Sequence, residues 1–146
     1  MHARYRIRPH GGGFNELQTH RFGLEAAYTQ PLLQHLGEPE RHSPVLPETG
    51  PLLRLPESFS PESPILTVHV KAAEQQPGII VRLFNASDET QPAEIGSGFL
   101  RILSAQTCDL LEKTQGSIEV QNGTVTLNLP ARRVTAVLLN VEASAA

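Results

Sequence analysis

Three observations predict a mainly β chain, an antiparallel two-sheet β-sandwich of about seven or eight strands with an N-terminal strand-helix appendage. From residue 65 onward apolar side chains recur at every second position in short runs separated by turn residues. Twelve prolines and eleven glycines are scattered without a period, which disfavours a helical bundle and suits short strands joined by turns. Asn122-Gly123 lies between two alternating runs and is the dipeptide of a two-residue type I′ hairpin turn. With 146 residues the chain is long enough to bury a core without cross-links.

Taken in order, Arg4, Arg6 and Arg8 alternate with Tyr5 and Ile7, a strand pattern with one cationic side, stopped by Pro9 and Gly11-Gly12-Gly13. The apolar positions Phe14, Leu17, Leu24, Ala27 and Tyr28 then predict a helix over 14–28, interrupted by Gly23 and closed before Pro31. Residues 1–30 therefore form a strand and helix without a core of their own, which must pack on the sandwich or on protein elsewhere. Eight prolines between residues 31 and 64 lock φ and remove amide donors, so 31–64 is predicted to be a connector and 65–146 the sandwich domain. Within that domain Leu66, Val68 and Val70 alternate with Thr67, His69 and Lys71. After a turn at 75–78, residues 79–85 are apolar on both faces apart from Arg82, the mark of a central strand. Short strands follow at 93–95 and 99–105, and 117–121 leads into the Asn122-Gly123 turn. With a two-residue loop Gln121 opposes Thr124, Val120 opposes Val125 and Ile118 opposes Leu127, so all the apolar residues of the hairpin share one face. The last strand covers 134–141.

Composition excludes several roles. Twelve Lys and Arg against 15 Asp and Glu, a net charge of −3, do not make a phosphate-neutralising surface, so no nucleic-acid partner is expected. No apolar run approaches the ~18 residues of a membrane span, and the first residues lack the apolar segment of a signal peptide, so neither membrane nor export is expected. Cys108 is the single cysteine, which forbids an internal disulfide and fits a reducing compartment; the expected location is cytoplasmic. No Trp and only seven Phe and Tyr leave little for a sugar- or base-stacking platform.

Catalytic sets are equally hard to assemble. His2, His10, His20, His35, His42 and His69 never fall at metal-ligand spacing, so they are expected to be exposed or packing histidines, His69 on the polar face of its strand. Cys108 stands beside Asp109, whose carboxylate disfavours a thiolate, and is expected to be buried and inert. Asp88-Glu89 and Asp109 with Glu112 are the nearest carboxylate pairs, but both lie in or beside turns, where acids prefer solvent. The glycines at 11–13 lack the Lys-Ser/Thr ending of a phosphate loop. The sequons at Asn85 and Asn122 are read as turn residues tolerating left-handed backbone. Arg82 is out of place in an apolar strand. It requires either an intrachain partner such as Glu74 or Glu94, or an interdomain role. The arginines at 4, 6 and 8 are either an anion-binding stripe or, as is commoner, a solvated edge that discourages strand addition.

Several stretches go beyond pattern. Residues 66–74, Leu-Thr-Val-His-Val-Lys-Ala-Ala-Glu, followed by Gly78-Ile79-Ile80-Val81-Arg82-Leu83-Phe84-Asn85-Ala86-Ser87, resemble the K-x-x-E … G-x-[IV]-x-R-[LF]-[YF]-N-x-[ST] segment of the C-terminal β-sandwich of glycoside hydrolase family 38, the α-mannosidases. Cys108-Asp109-Leu110-Leu111-Glu112 is similar to the family's N-L-x-E segment, and 123–130 with 134–139 to its closing strands. Tyr5–Gly12 and Glu25–Leu32 resemble the stretches that precede that module, with Gln30 where Asn is common and Ala131-Arg132-Arg133 where many members carry Phe or Glu.

The resemblance implies a non-catalytic domain that supports the catalytic part and lends a loop to the rim of the sugar cleft. Family members are retaining, zinc-dependent α-mannosidases whose metal ligands and nucleophilic Asp belong to an N-terminal α/β domain, and no part of this sequence matches that domain. Catalytic, cofactor and metal residues are thus expected to be none here, with zinc in the parent enzyme. By the same resemblance Lys71, Glu74, Arg82, Asn85 and Glu112 are signature residues with structural or interdomain roles. The implied partner is the N-terminal catalytic part of the same polypeptide, from which this chain reads as an excised segment. Oligosaccharide is expected to bind only to the full-length enzyme, and homo-oligomerisation stays open. Two other readings remain at this point, a stand-alone carbohydrate-binding module and an immunoglobulin-like interaction module.

Overall fold

The computed structural model describes residues 5–27, 51–60 and 62–143, without the side chains of Ser58 and Phe59. The chain divides into two units, Met1–Glu38 and Pro39–Ala146.

In the first unit, residues 5–10 are irregular and exposed. The alternation of arginines with Tyr5 and Ile7 therefore does not produce the expected strand. An isolated strand leaves a row of backbone groups unpaired, and among the described residues none pairs with it. The expected helix is present as α1, Glu16–Ala27. It starts where Asn15 accepts a hydrogen bond from the amide of Gln18 at 2.9 Å, satisfying one of the orphan donors of the first turn. None of its residues is buried. Tyr28 and Pro31, which were expected to close it, lie outside the described residues.

The second unit is mainly β, with eight strands among the described residues in two antiparallel sheets. In chain order these are β1 Ile65–Ala72, β2 Ile79–Asn85, β3 Gln91–Ile95, β4 Leu100–Cys108, β5 Thr114–Ile118, β6 Val120–Gln121, β7 Thr124–Leu129 and β8 Val134–Ala143. The larger sheet has the order β1-β2-β8-β4-β5 and the smaller β3-β7-β6. Pro92 is accommodated because β3 is an edge strand. Between the sheets lie Ile65, Val81, Leu83, Ala93, Ile95, Ile102, Ala105, Val125, Leu129, Val137 and Leu139. These inward residues recur at every second position along β2 and β8, as the pleat requires. The outer face of the large sheet is also partly covered, by a second cluster of Ile80, Cys108, Ala136 and Leu138 with Ala73 against it. That double burial explains why Ala136–Leu139 is continuously apolar and why β2 is apolar on both faces apart from Arg82 and its last residue, Asn85.

Three features depart from the sequence reading. A bulge between Thr67 and His69 breaks the alternation of β1: Ile65 and Thr67 oppose Asn85 and Leu83, while His69 and Lys71 oppose Arg82 and Ile80. Leu66 thus shares the outer face with Phe84, and His69 is on the outer face as expected. Next, Ile118 does not oppose Leu127; it pairs with Ala105 in the large sheet, while Val120 pairs with Val125 in the small one. The chain changes sheets at Glu119, so only the first two pairs of the hairpin form as expected, and Ile118, Val120, Val125 and Leu127 still reach one core from two sheets. The turn has φ 50 at Asn122 and 73 at Gly123, the positive pair that type I′ demands. Asn85, by contrast, ends β2 without left-handed backbone; its Oδ1 accepts from the Ser87 amide in an Asx-type turn while its Nδ2 bonds into the core.

The third departure is that the stretch read as connector joins the sandwich before residue 65. Arg54 and Gly96 exchange backbone bonds of 2.8 and 2.9 Å, and Leu53 and Leu55 pack on the core. A short helix, α2 Pro56–Phe59, begins with a proline at a position needing no donor. Its Glu57 carboxylate accepts from both the amide and the hydroxyl of Thr67, tying α2 to β1. Prolines forbid a ladder here, yet one bridge and two docked leucines need none. Residues 31–50 and Pro61 lie outside the described residues.

Candidate functional site

Four of the five signature residues converge on the outer face of the large sheet. The β1–β2 register places Lys71 beside Ile80 and His69 beside Arg82, so Lys71 and Arg82 project from the same side. Arg82 is followed across the sheet by Ala136 and then Cys108, a row of small side chains. At its far end the guanidinium meets the β4–β5 loop, where Arg82 Nη2 donates to the Leu110 carbonyl at 3.2 Å. The intrachain partners considered for Arg82 were Glu74 and Glu94. Glu94 stands on β3 opposite Thr126, and the bond that forms goes to a backbone carbonyl. Arg82 Nε is buried without a hydrogen-bond partner.

Glu112 is the centre of the arrangement. It is 5% exposed, and its carboxylate receives Lys71 Nζ at 2.6 Å on one oxygen and the Glu74 amide at 2.7 Å on the other. Lys71 also pairs with the Glu74 carboxylate. One acid thus joins the β1–β2 turn to the β4–β5 loop. The loop is shaped for this: Asp109 Oδ1 accepts from the amides of Leu111 at 2.8 Å and Lys113 at 2.9 Å, an Asx-type turn. Glu112 itself sits in the left-handed region with φ 66, a conformation uncommon for a non-glycine residue and held here by its ion pair.

Electrostatics follow from these contacts. The hydrogen bond from Lys71, then that from the Glu74 amide, hold the Glu112 carboxyl below the ordinary glutamate range. Hydrogen bonds to Glu112 and then Glu74 push Lys71 above the ordinary lysine value. Burial pushes the Cys108 thiol up, with smaller contributions from Glu112 and Asp109, against an opposing effect of Arg82. Cys108 is therefore a buried thiol, and burial outweighs the Asp109 charge from which the sequence argument started.

Around these residues opens a hollow of about 830 Å³, walled by Lys71, Glu74, Arg82, Leu110, Glu112 and Lys113 among others. Its chemistry is that of a strut. A glycosidase acid must hold its proton near neutral pH, which requires a raised pKa, whereas Glu112 is lowered and Glu74 shares the same ammonium. In the pair Asp88-Glu89, Asp88 accepts from Arg132 Nε at 2.9 Å and is held below the ordinary aspartate range by it. Among the described residues no three of His, Cys, Asp and Glu converge as metal donors. No helix among them is long and apolar enough to cross a membrane.

Asn85 lies apart from this cluster. Fully buried at the end of β2, its Nδ2 donates to the carbonyls of Glu89 at 2.7 Å, Leu129 at 2.9 Å and Pro130 at 3.2 Å. Its Oδ1 accepts from the amide and hydroxyl of Ser87. Leu129 ends β7, so one amide bolts the two sheets together. The loop residues Leu110, Leu111 and Lys113 were not singled out from sequence. The available signal was Asp109 followed by two consecutive leucines in a turn, where apolar residues have no local reason to be.

Comparison with known proteins brings a family model into register with this fold. The glycosyl hydrolases family 38 C-terminal β-sandwich domain matches residues 65–138, half of the chain and nearly all of the two sheets. No curated protein matches it.

Proposed function

The chain belongs to glycosyl hydrolase family 38, whose C-terminal β-sandwich domain it carries, and from this we propose that it is the non-catalytic supporting domain of an α-mannosidase. On this reading a zinc-dependent catalytic domain in the same polypeptide hydrolyses α-mannosides, and the sandwich buttresses it and lends a loop to the rim of the sugar cleft. The observation that carries the proposal is the fate of the signature charges. Glu74 and Glu112 share the Lys71 ammonium and Arg82 donates to a loop carbonyl, so these groups hold two loops in place and engage both acids in ion pairs. The parent's zinc and its nucleophile are assigned to the catalytic domain. Cys108, buried and free, suits the reducing cytoplasm in which we place the protein.

Turnover of an aryl α-mannoside tests this. The complete polypeptide carrying the domain is expected to hydrolyse it in a zinc-dependent way with retention of configuration, and the 146-residue chain alone is expected to release no product. Hydrolysis by the chain alone, or a complete polypeptide that leaves α-mannosides intact, overturns the proposal.

A further inference from the structure

Arg82 leaves most of its hydrogen-bonding capacity unused. A guanidinium carries several N–H donors, yet among the described residues the bond it makes runs from Nη2 to the Leu110 carbonyl, and Nε is buried without a partner. A central strand is a costly place for such a group, because a buried donor without an acceptor has given up its hydration for nothing. Its neighbours on the sheet supply no carboxylate: His69 stands on one side, Ala136 and then Cys108 on the other. The nearby acids are committed elsewhere. Glu74 and Glu112 share the Lys71 ammonium, and Asp109 turns Oδ1 to the amides of its own loop. Lys71, Arg82 and Lys113 are thus matched in number by Glu74, Glu112 and Asp109, so what distinguishes the place is not an excess of charge but a guanidinium whose donors are unmet.

The same guanidinium borders the hollow of about 830 Å³, a size typical of small-molecule sites. Lys113, on the same wall, makes no ion pair among the described residues. Two oxygens of a carboxylate or of a phosphate ester match the planar fork of an arginine, and no other side-chain type present on this wall offers that geometry. Gln75, Gln76 and Thr114 complete the lining with amide and hydroxyl groups, which suit hydroxyls on the body of a ligand. We propose that the hollow between the β1–β2 turn and the β4–β5 loop is a binding site for a small hydroxylated oxyanion, with Arg82 holding its carboxylate or phosphate group and Lys113 adding a second positive contact. This goes beyond the supporting role above and requires nothing of the parent enzyme's activity.

Nuclear magnetic resonance of the isotope-labelled 146-residue chain tests it through the Arg82 Nε–H group itself, whose burial slows exchange with water. The probes are acetate, glycerate, inorganic phosphate and glycerophosphate, each exchanged for chloride at constant ionic strength. A saturable shift of the Nε–H signal and of the amides from Leu110 to Thr114 is expected, with half-saturation on the order of 1 mM for the best probe. The carboxylate and phosphate arms identify the oxyanion, and within the preferred arm the hydroxylated probe should bind more tightly than the bare ion. Arg82→Lys, which keeps the charge and loses the fork, is expected to abolish saturation at those amides. Lys113→Gln, at an exposed position, should weaken binding by up to about fivefold and keeps the test intact if Arg82→Lys fails to fold. Shifts that rise linearly and equally for all four probes overturn the proposal, since the guanidinium is then met by solvent alone. Saturable binding that neither substitution weakens overturns it too, because the anion is then held elsewhere.

Discussion

Replacing Asn85 by alanine removes a buried side chain that hydrogen-bonds from the end of β2 to the end of β7. Two N–H groups serve three carbonyls, those of Glu89, Leu129 and Pro130, and the side-chain oxygen serves the Ser87 amide and hydroxyl. With Asn85 Oδ1 gone, the single Ser87 hydroxyl proton turns to the Glu89 carbonyl 2.9 Å away, so the losses concentrate on Leu129, Pro130 and the Ser87 amide. A buried group left unsatisfied costs ~1–3 kcal/mol, and partial relaxation around the vacated volume brings the expected total to about 3 kcal/mol. For a domain of this size that is a fall of roughly 12–24 °C in Tm. Urea unfolding of the chain followed by far-UV circular dichroism measures it as a shift in midpoint at constant slope. Asn85→Asp sharpens the test, since it keeps the shape and exchanges the donor for an acceptor aimed at carbonyl oxygens. It should cost at least as much as alanine near neutral pH, and its penalty should shrink as the pH falls and the acid gains a proton to donate. A loss under about 0.5 kcal/mol for Asn85→Ala, or an Asn85→Asp protein as stable as the parent at neutral pH, would refute the reasoning.

The remaining expectations concern the core and the charge cluster. Because Glu112 is held below its ordinary value of 4.5, its contribution to stability is complete above that value and is lost as pH falls through the lowered one. Lys71, raised above 10.5, contributes fully below that value and loses its contribution as pH rises through the raised one. Urea midpoints across the pH range should therefore fall less steeply in acid for Glu112→Gln and less steeply in alkali for Lys71→Met; curves parallel to the parent's would contradict both assignments. At Gly78, φ is +145 and a Cβ would stand 2.7 Å from the Leu139 carbonyl oxygen, so Gly78→Ala is expected to cost ~2 kcal/mol or more by the same unfolding assay. Leu139→Ala, in the fully buried layer between the sheets, should cost ~2–5 kcal/mol, and a value near zero would mean that this layer is not packed as described. Maleimide should leave Cys108 unmodified in the native chain and react only on unfolding, because burial raises its thiol; rapid native labelling would contradict that.

Much of this protein is written locally in its sequence. Period-two alternation marks β7, the apolar runs in β2 and at Ala136–Leu139 mark strands covered on both faces, and Asn122-Gly123 marks its turn, because pleat, burial and φ are properties of neighbouring residues. The same locality let the residues of the family resemblance be picked out in advance. What their side chains do was a matter for the tertiary structure. Lys71, Glu74, Arg82 and Glu112 come from two turns and two strands, and only the sheet register, with a bulge in β1 that no local pattern announces, brings them to one face while sending Asn85 to the other end of the sandwich. The change of sheet at Glu119 is of the same kind. So is the loop that holds Leu110 and Leu111 outward. Strand pairing joins residues far apart in the chain, and its free energy depends on partners that no single segment contains.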